Sequence, residues 1–291
     1  MYDLTIYTDE ELQTIQKLEL ECLKAMIKAC ETLKIEYFLI GGTALGAVRH
    51  HGFIPWDDDI DVGMTRENYI RFIKEAGEYL PANYHIQTPY ESEDNPYFYT
   101  KVRIDGTKFV EYCNRKVKMN QGVYVDVFPF DEVPDDEDEN LSHFKEVQKW
   151  IKLFSLRQSP DISMKPADMK SKMKACVRKC VHILCKMIPY RFIADQLEHT
   201  IRKYNGTGQT ALACMNFPVR KKEYIKKEDL YPLQDYGFEN VKSVDMLIKF
   251  VITLDGSENG INDGIYIYMN DDGSIVNAEY FVKENDDVTI I

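Results

Sequence analysis

The sequence has no apolar run near the length of about 20 residues that a membrane-spanning helix needs. Its seven cysteines form no Cys-x-x-Cys pair, which favours buried reduced thiols over a zinc site and suits a reducing cytoplasm. The net charge of −12 argues against broad binding of nucleic acid through its phosphate backbone. The start, MYDLTIYTDEEL, lacks the basic and apolar regions of a secretion signal, so we expect a cytoplasmic protein.

A length of 291 residues with 44% hydrophobic composition is enough for a full core, as in a soluble enzyme. Thr8 and Glu11 form a capping-box pattern that predicts the start of a long amphipathic helix. Alternating and β-branched segments then predict strands near 84–88, 97–104, 108–112 and 121–128, followed by mostly helical sequence to about residue 204.

A glycine pair ends the first apolar run of the chain. The run from Tyr37 to Ile40 stops at Gly41 and Gly42, and small, helix-compatible residues follow. Glycines at the start of a helix can bring backbone N–H groups close to a phosphate. By itself such a pair is most often only a turn.

Four closely spaced aspartates follow, at positions 57, 58, 59 and 61. Ile60 and Val62 alternate with the last two, which predicts that Asp59 and Asp61 project from one face of a strand. Carboxylates held about 7 Å apart repel one another unless a cation lies between them. Mg²⁺ or Mn²⁺ fits because these ions prefer hard oxygen ligands. The alternative is a solvated acidic loop.

A further aspartate, Asp126, lies within the strand-like sequence GVYVDVF. Its apolar and aromatic neighbours indicate a central strand with one charged side chain directed at a site, although a half-exposed edge strand is the alternative. Together with Asp59 and Asp61 it would complete a metal site for phosphoryl transfer.

Five motifs occur in order along the chain: Gly41-Gly42-Thr43, Leu45-Gly46, Arg49-His50, GFIPWDDDID from Gly52 to Asp61, and Asp126-Val127-Phe128-Pro129. Together they resemble the LicD family of phosphotransferases, which includes bacterial phosphocholine transferases and the fukutin-related proteins. The resemblance covers residues 37 to 135, with a weaker continuation between 203 and 233.

The resemblance implies an α+β fold, with a nucleotidyltransferase-like mixed β-sheet core flanked by helices and a helical insertion. It implies that Asp59, Asp61 and Asp126 are the catalytic and metal-binding residues. Donor-binding residues would be Gly41, Gly42, Thr43, Arg49, His50 and Trp56.

The family reaction moves a phospho-alcohol group, phosphocholine foremost, from a CDP-linked donor to a hydroxyl of a cell-surface glycan or teichoic acid precursor. Aromatic faces would suit a choline ammonium group, and Trp56, Tyr97, Tyr99 and Tyr124 are candidates. Two other hypotheses remain: a nucleotidyltransferase that uses an NTP, and a catalytically idle protein that senses a nucleotide.

We expect three segments: a catalytic core with the N-terminal helix at 1–135, a mainly helical acceptor-side region at 136–240, and a β-rich segment at 241–291. The resemblance ends near residue 240. Alternation on both sides of Asn270-Asp271-Asp272-Gly273 predicts a C-terminal β-hairpin.

The segment 165–191 holds eight basic residues and one acidic residue and has helical apolar periodicity. One interpretation is a surface helix with a solvated face. The other is contact with an anionic glycan or lipid-linked acceptor or with an anionic membrane, which would place the protein at the inner face of the membrane.

Overall fold

The computed structural model describes residues 8–111, 114–159, 169–219 and 222–239, together with the backbone of four strands after residue 240. The described residues form seven α-helices: α1 (Asp9–Leu33), α2 (Gly41–His50), α3 (Arg66–Glu75), α4 (Glu137–Gln158), α5 (Met169–Cys185), α6 (Tyr190–Ile201) and α7 (Lys227–Leu230). A short 3₁₀ turn, Ala76–Tyr79, follows α3.

The first helix begins as predicted. The Thr8 side chain accepts a hydrogen bond from the Glu11 backbone N–H, and the Glu11 side chain accepts one from the Thr8 backbone, so the capping box is confirmed. Cys22, Leu23 and Met26 on its apolar side are fully buried against the sheet. Burial of this face holds α1 across the core.

One large sheet forms the centre of the molecule. Its strands are β1 (Phe38–Leu39), β2 (Asp61–Thr65), β3 (Tyr84–Gln87), β4 (Thr100–Ile104), β5 (Tyr124–Val133), β6 (Ala211–Ala213), β7 (Ile225–Lys226), β8 (Gln234–Phe238) and β9 (Val241–Met246). The main order is β3-β4-β5-β2-β1-β9-β8, and β6 joins the far end of β5 and pairs with β7. The β2–β5 and β1–β9 pairs are parallel and the other pairs are antiparallel, which confirms the predicted mixed sheet with flanking helices.

The helices α4 and α6 pack on a second apolar cluster beside the end of β5. Ile151 and Phe154 of α4 and Leu197 of α6 are almost fully buried there, together with Val133 of β5. The predicted helical region therefore packs directly on the central sheet.

The strand predicted near 108–112 is wrong for its described part, since residues 108–111 form no strand and 112–113 lie outside the described residues. Gly106 has a positive φ of 80°, and the Phe109 N–H donates to the Gln121 carbonyl across an irregular loop. The turn at Gly106 ends β4 before a regular strand can continue.

The C-terminal hairpin is confirmed by two antiparallel strands, β10 (Ile261–Met269) and β11 (Ile275–Glu284), with β12 (Asp287–Ile290) beside them. The predicted turn at 270–273 lies outside the described residues. Met246 of β9 pairs with Leu39 of β1, so the start of the third predicted segment belongs to the main sheet. The division at residues 135 and 240 stays a prediction.

None of the described helices is long and apolar enough to cross a membrane.

Candidate active site

The aspartate run lies in the loop that leads into β2. The Asp57 N–H donates to the Ile54 carbonyl at 2.9 Å and closes a turn. From α1, Gln16 Nε2 donates to the Asp57 carbonyl at 2.9 Å. The loop is therefore held on one side by its own turn and on the other by the first helix.

The alternation predicted that Asp59 and Asp61 lie on one strand, and this prediction is wrong for Asp59. The strand β2 begins at Asp61, where its pairing with Asp126 of β5 starts, and β1 pairs with the next two residues, Val62 and Gly63. Asp59 remains in the loop and is free to turn toward the preceding aspartates.

Within the described part of the chain, three carboxylates meet closely enough to hold one cation. Asp57, Asp58 and Asp59 each offer an oxygen within 4.8 Å of the others, and all three residues are half-buried. Burial, and then the charge of Asp59, raises the pKa of Asp57 to about 6. Burial likewise raises the pKa values of Asp58 and Asp59. These shifts mean that the ionised cluster is costly without a cation.

Asp61 and Asp126 lie beside this group, on neighbouring parallel strands. They are register partners in the β2–β5 pair, so their Cα atoms face each other across the ladder. Burial raises the pKa of Asp61 well above its usual range, and the charges of Asp59 and Asp126 add to the effect. The three predicted ligands thus come together, although Asp57 and Asp58 are the closer companions of Asp59.

The sequence interpretation missed Lys101 of β4. Lys101 is the register partner of Asp126 in the β4–β5 pair, and its Nζ donates to both oxygens of that carboxylate, at 2.7 and 2.9 Å. Only 1% of Lys101 is exposed. Burial raises the pKa of Asp126 to about 6 despite the opposing effect of Lys101. A cation that reached Asp126 would share it with this lysine.

Three tyrosines surround the Lys101 ammonium group. Its Nζ lies 3.4 Å from the ring centroid of Tyr124, 4.3 Å from that of Tyr97 and 5.3 Å from that of Tyr99. These rings were candidates for a choline cage, but in the structure their faces contact a protein cation. Of the four aromatic candidates, Trp56 remains open to a ligand, with 76% of its surface exposed.

The glycine pair makes room for the carboxylates. Gly41 has a φ of 56°, which disfavours any residue with a Cβ, and it starts α2. A Cβ on Gly42 would lie 2.6 Å from Asp57 Oδ2, and one on Gly41 would lie 3.0 Å from Asp61 Oδ2. Larger residues here would displace both aspartates.

The other predicted donor-binding residues take different positions. Thr43 is buried, and its hydroxyl accepts the Asp61 N–H at 2.8 Å, so it connects α2 to β2. Arg49 and His50 are exposed at the C-terminal end of α2, about 12 Å along the helix axis from the glycines. Contact of these residues with a donor stays a prediction.

A second residue missed from the sequence is Glu19 of α1. It is fully buried, and neither carboxyl oxygen has a hydrogen-bond partner among the described residues. Burial raises the pKa of Glu19 well above its usual range, with added contributions from Asp59 and Asp126. The available signal was a single acid on the apolar side of the predicted helix, three residues before Cys22.

The chemistry of this donor set fits a hard divalent cation. The cluster offers only carboxylate oxygens, which Mg²⁺ and Mn²⁺ prefer. The orphaned Glu19 carboxyl adds a further acid close to the group, where it could accept hydrogen bonds from water around a bound ion. Asp57, Asp58 and Asp59 are the residues that could hold such an ion.

Known proteins match this part of the chain. Residues 34–167 match the family model described as "LicD/FKTN/FKRP, nucleotidyltransferase domain". Lipopolysaccharide cholinephosphotransferase LicD of Haemophilus influenzae is 31% identical over 223 residues, which cover 74% of this chain and 79% of that protein. Human ribitol 5-phosphate transferase FKRP is 40% identical over 48 residues, which are 16% of this chain and 10% of that protein. The chain belongs to the LicD family.

Proposed function

We propose that this protein is a metal-dependent phosphotransferase with a nucleotidyltransferase-like fold. Its reaction moves a phospho-alcohol group, phosphocholine foremost, from a CDP-linked donor to a hydroxyl of a cell-surface glycan. The observation that carries the proposal is the group Asp57-Asp58-Asp59 beside Asp61 and Asp126, inside the segment that matches the family. The similarity to a lipopolysaccharide cholinephosphotransferase supports phosphocholine as the transferred group and a glycan as the acceptor.

The loop aspartates Asp57, Asp58 and Asp59 would hold the cation, and Asp61 lies beside them at the start of β2. A bound Mg²⁺ or Mn²⁺ would neutralise charge on the donor phosphates. The N-terminus of α2, at Gly41 and Gly42, lies next to the same carboxylates and favours an anionic phosphate by its dipole.

Asp126 is suited to accept the proton of the attacking hydroxyl. The acceptor oxygen forms a bond to the transferred phosphorus, the bond from phosphorus to CMP breaks, and CMP leaves with its electron pair. A carboxyl with a pKa of about 6 is a competent base near neutral pH. Lys101 fixes this carboxylate through both oxygens and prevents it from rotating away.

The test is a transfer assay with purified protein, CDP-choline and Mn²⁺, in which released CMP and released pyrophosphate are both measured. We expect CMP from the wild type and a loss of about 10³-fold in the Asp59→Asn variant, comparable to removal of one electrostatic contact to a transition state. Calorimetric titration with Mn²⁺ should show weaker binding by the same variant. The matched control is Asp138→Asn, which changes an exposed aspartate in the first turn of α4 and should change neither result.

Other outcomes would overturn the proposal. Pyrophosphate release from CTP, with no CMP from any CDP-alcohol, would identify a nucleotidyltransferase, the activity after which the family domain is named. Nucleotide binding without release of either product would identify a nucleotide-sensing protein.

A further inference from the structure

The side of the helix α5 that packs on the protein makes polar contacts and also buries two small side chains, Ala175 and Cys185. The Arg178 guanidinium donates to the carbonyls of Ser155 and Ser159 at 3.2 and 3.1 Å, and His182 Nδ1 donates to the Leu156 carbonyl at 3.0 Å. These contacts hold the helix against the last turn of α4 through polar groups.

The apolar side of the same helix faces outward. Met173, Val177 and Leu184 are exposed by 63%, 58% and 65% of their surfaces, and Cys180 completes the i, i+4, i+7 spacing between them. Ile183 is exposed as well. An ordinary surface helix buries its apolar side, whereas α5 buries Ala175 and Cys185 and leaves most of its larger apolar side chains exposed.

Basic residues lie along both margins of this exposed stripe. With 100° between successive residues, Lys170 and Lys174 fall on one margin, and Lys172 and Lys179 fall on the other. From 169 to 191 there are seven Lys or Arg residues and no acidic residue, in a chain whose net charge is −12. The positive charge is therefore concentrated on this element.

We propose that the exposed face of α5 docks on an anionic lipid surface. An outward apolar stripe between two rows of lysines is the pattern of a helix that lies in a membrane interface, with methyl-rich side chains among the acyl chains and ammonium groups at the headgroups. A soluble anionic glycan would engage the lysines but would leave Met173, Val177 and Leu184 in water. Simple solvation leaves the same side chains unexplained, since contiguous exposed apolar patches mark interaction surfaces.

Vesicle co-sedimentation of the full-length protein tests this surface. The wild type should bind vesicles of equal parts phosphatidylcholine and phosphatidylglycerol, and binding to pure phosphatidylcholine should be at least tenfold weaker. Replacement of Lys170, Lys172 and Lys174 by Gln should lower affinity for the mixed vesicles about 100-fold. Replacement of Met173, Val177 and Leu184 by Ser should lower it at least tenfold, because their burial in the interface is lost.

The matched control carries Gln at Lys17, Lys24 and Lys28, three exposed lysines of α1, and should bind vesicles like the wild type. Circular dichroism and Mn²⁺ titration of every variant show whether the fold is intact.

The proposal fails if the wild type does not bind vesicles, or if the α5 and α1 variants bind them alike. It also fails if the Ser variant converts a dimer to a monomer in sedimentation equilibrium without any wild-type vesicle binding, since a second copy would then cover the stripe. Binding to vesicles requires no catalysis, so this result is independent of the transfer assay.

Discussion

Two buried aspartates on β5, Asp126 and Asp131, have opposite electrostatic surroundings. Asp131 accepts two hydrogen bonds from Arg66, at 2.8 and 2.6 Å, and one from Asn205 at 2.6 Å. Asp126 has only Lys101 as a cationic hydrogen-bond partner among the described residues and is surrounded by other acids. Their odd separation puts the two side chains on opposite faces of the strand.

This difference distinguishes an anchor, Asp131, which stabilises the fold, from Asp126, which belongs to the candidate active site. Around Asp131 the charges are balanced and every bond joins one element to another, so the group stabilises the fold. Around Asp126 acids outnumber the buried lysine: Glu19, Asp57, Asp58, Asp59 and Asp61. Such an excess costs stability, and it is typical of functional sites, where a ligand or cation supplies the missing charge.

Asp131→Asn should cause the largest change in stability. The substitution leaves the Arg66 guanidinium buried, and the ion pair that remains to it among the described residues is the longer one to Glu198, at 3.5 Å. Removing one partner of a buried ion pair typically costs about 3–5 kcal/mol. Urea unfolding followed by circular dichroism measures the loss, and Asp138→Asn should remain within about 0.5 kcal/mol of the wild type. A loss as small as that of the control would mean that Asp131 is not an anchor.

Glu19→Gln should change stability in the other direction. Because the folded state raises the pKa of Glu19, this carboxyl favours folding below its unfolded pKa, and that contribution is lost as the pH rises through the folded value. At pH 8 the neutral amide should therefore raise the free energy of unfolding by about 1 kcal/mol. The gain should shrink at pH 5.

The same variant should bind Mn²⁺ about tenfold more weakly, as is common when a carboxylate near a metal is removed. Urea unfolding at both pH values and calorimetry provide the two measurements. A destabilised Glu19→Gln variant with unchanged Mn²⁺ affinity would contradict the assignment of Glu19 to the site.

A bound cation should also shift the melting temperature in a pH-dependent way. Asp57 and Asp126 have folded pKa values of about 6, above the usual 3.8, so the metal-free protein should lose stability as the pH rises from about 4 to about 6. Saturating Mn²⁺ should raise the melting temperature by about 5 °C at pH 7.5 and hardly at all at pH 5, where protons compete for the ligands. An equal shift at both pH values, or a shift that Asp59→Asn retains, would place the cation elsewhere.

Much of the site was predictable because its residues are close together in the chain. The run from Gly41 to Asp61 holds the glycine pair and four aspartates, and the strand sequence around Asp126 indicated a partner strand. The structure adds that Asp59 leaves the strand and joins Asp57 and Asp58. The pairing of β2 with β5 starts only at Asp61 and Asp126, and no periodicity in the loop predicts that starting point.

Glu19 and Lys101 could not be assigned from the sequence. Each is a single charged residue in an ordinary helix or strand. Glu19 lies 40 residues before Asp59, and Lys101 lies 25 residues before Asp126. Packing of α1 on the sheet and the antiparallel register of β4 with β5 bring them to the acids. Such long-range pairing depends on the whole fold.

The amino-acid sequence alone was sufficient to assign the LicD family, to predict the capped first helix and to find the acidic motif. Short-range periodicity and motif spacing carry that information. The environment of each carboxylate required the folded chain, since burial and neighbouring charges come from distant segments. The orientation of α5 is the clearest case: its amphipathic pattern predicts an apolar side, but its packing, with hydrogen bonds to α4 and burial of Ala175 and Cys185, leaves most of that side exposed. Periodicity determines which residues share a helix face, and packing determines which face meets solvent.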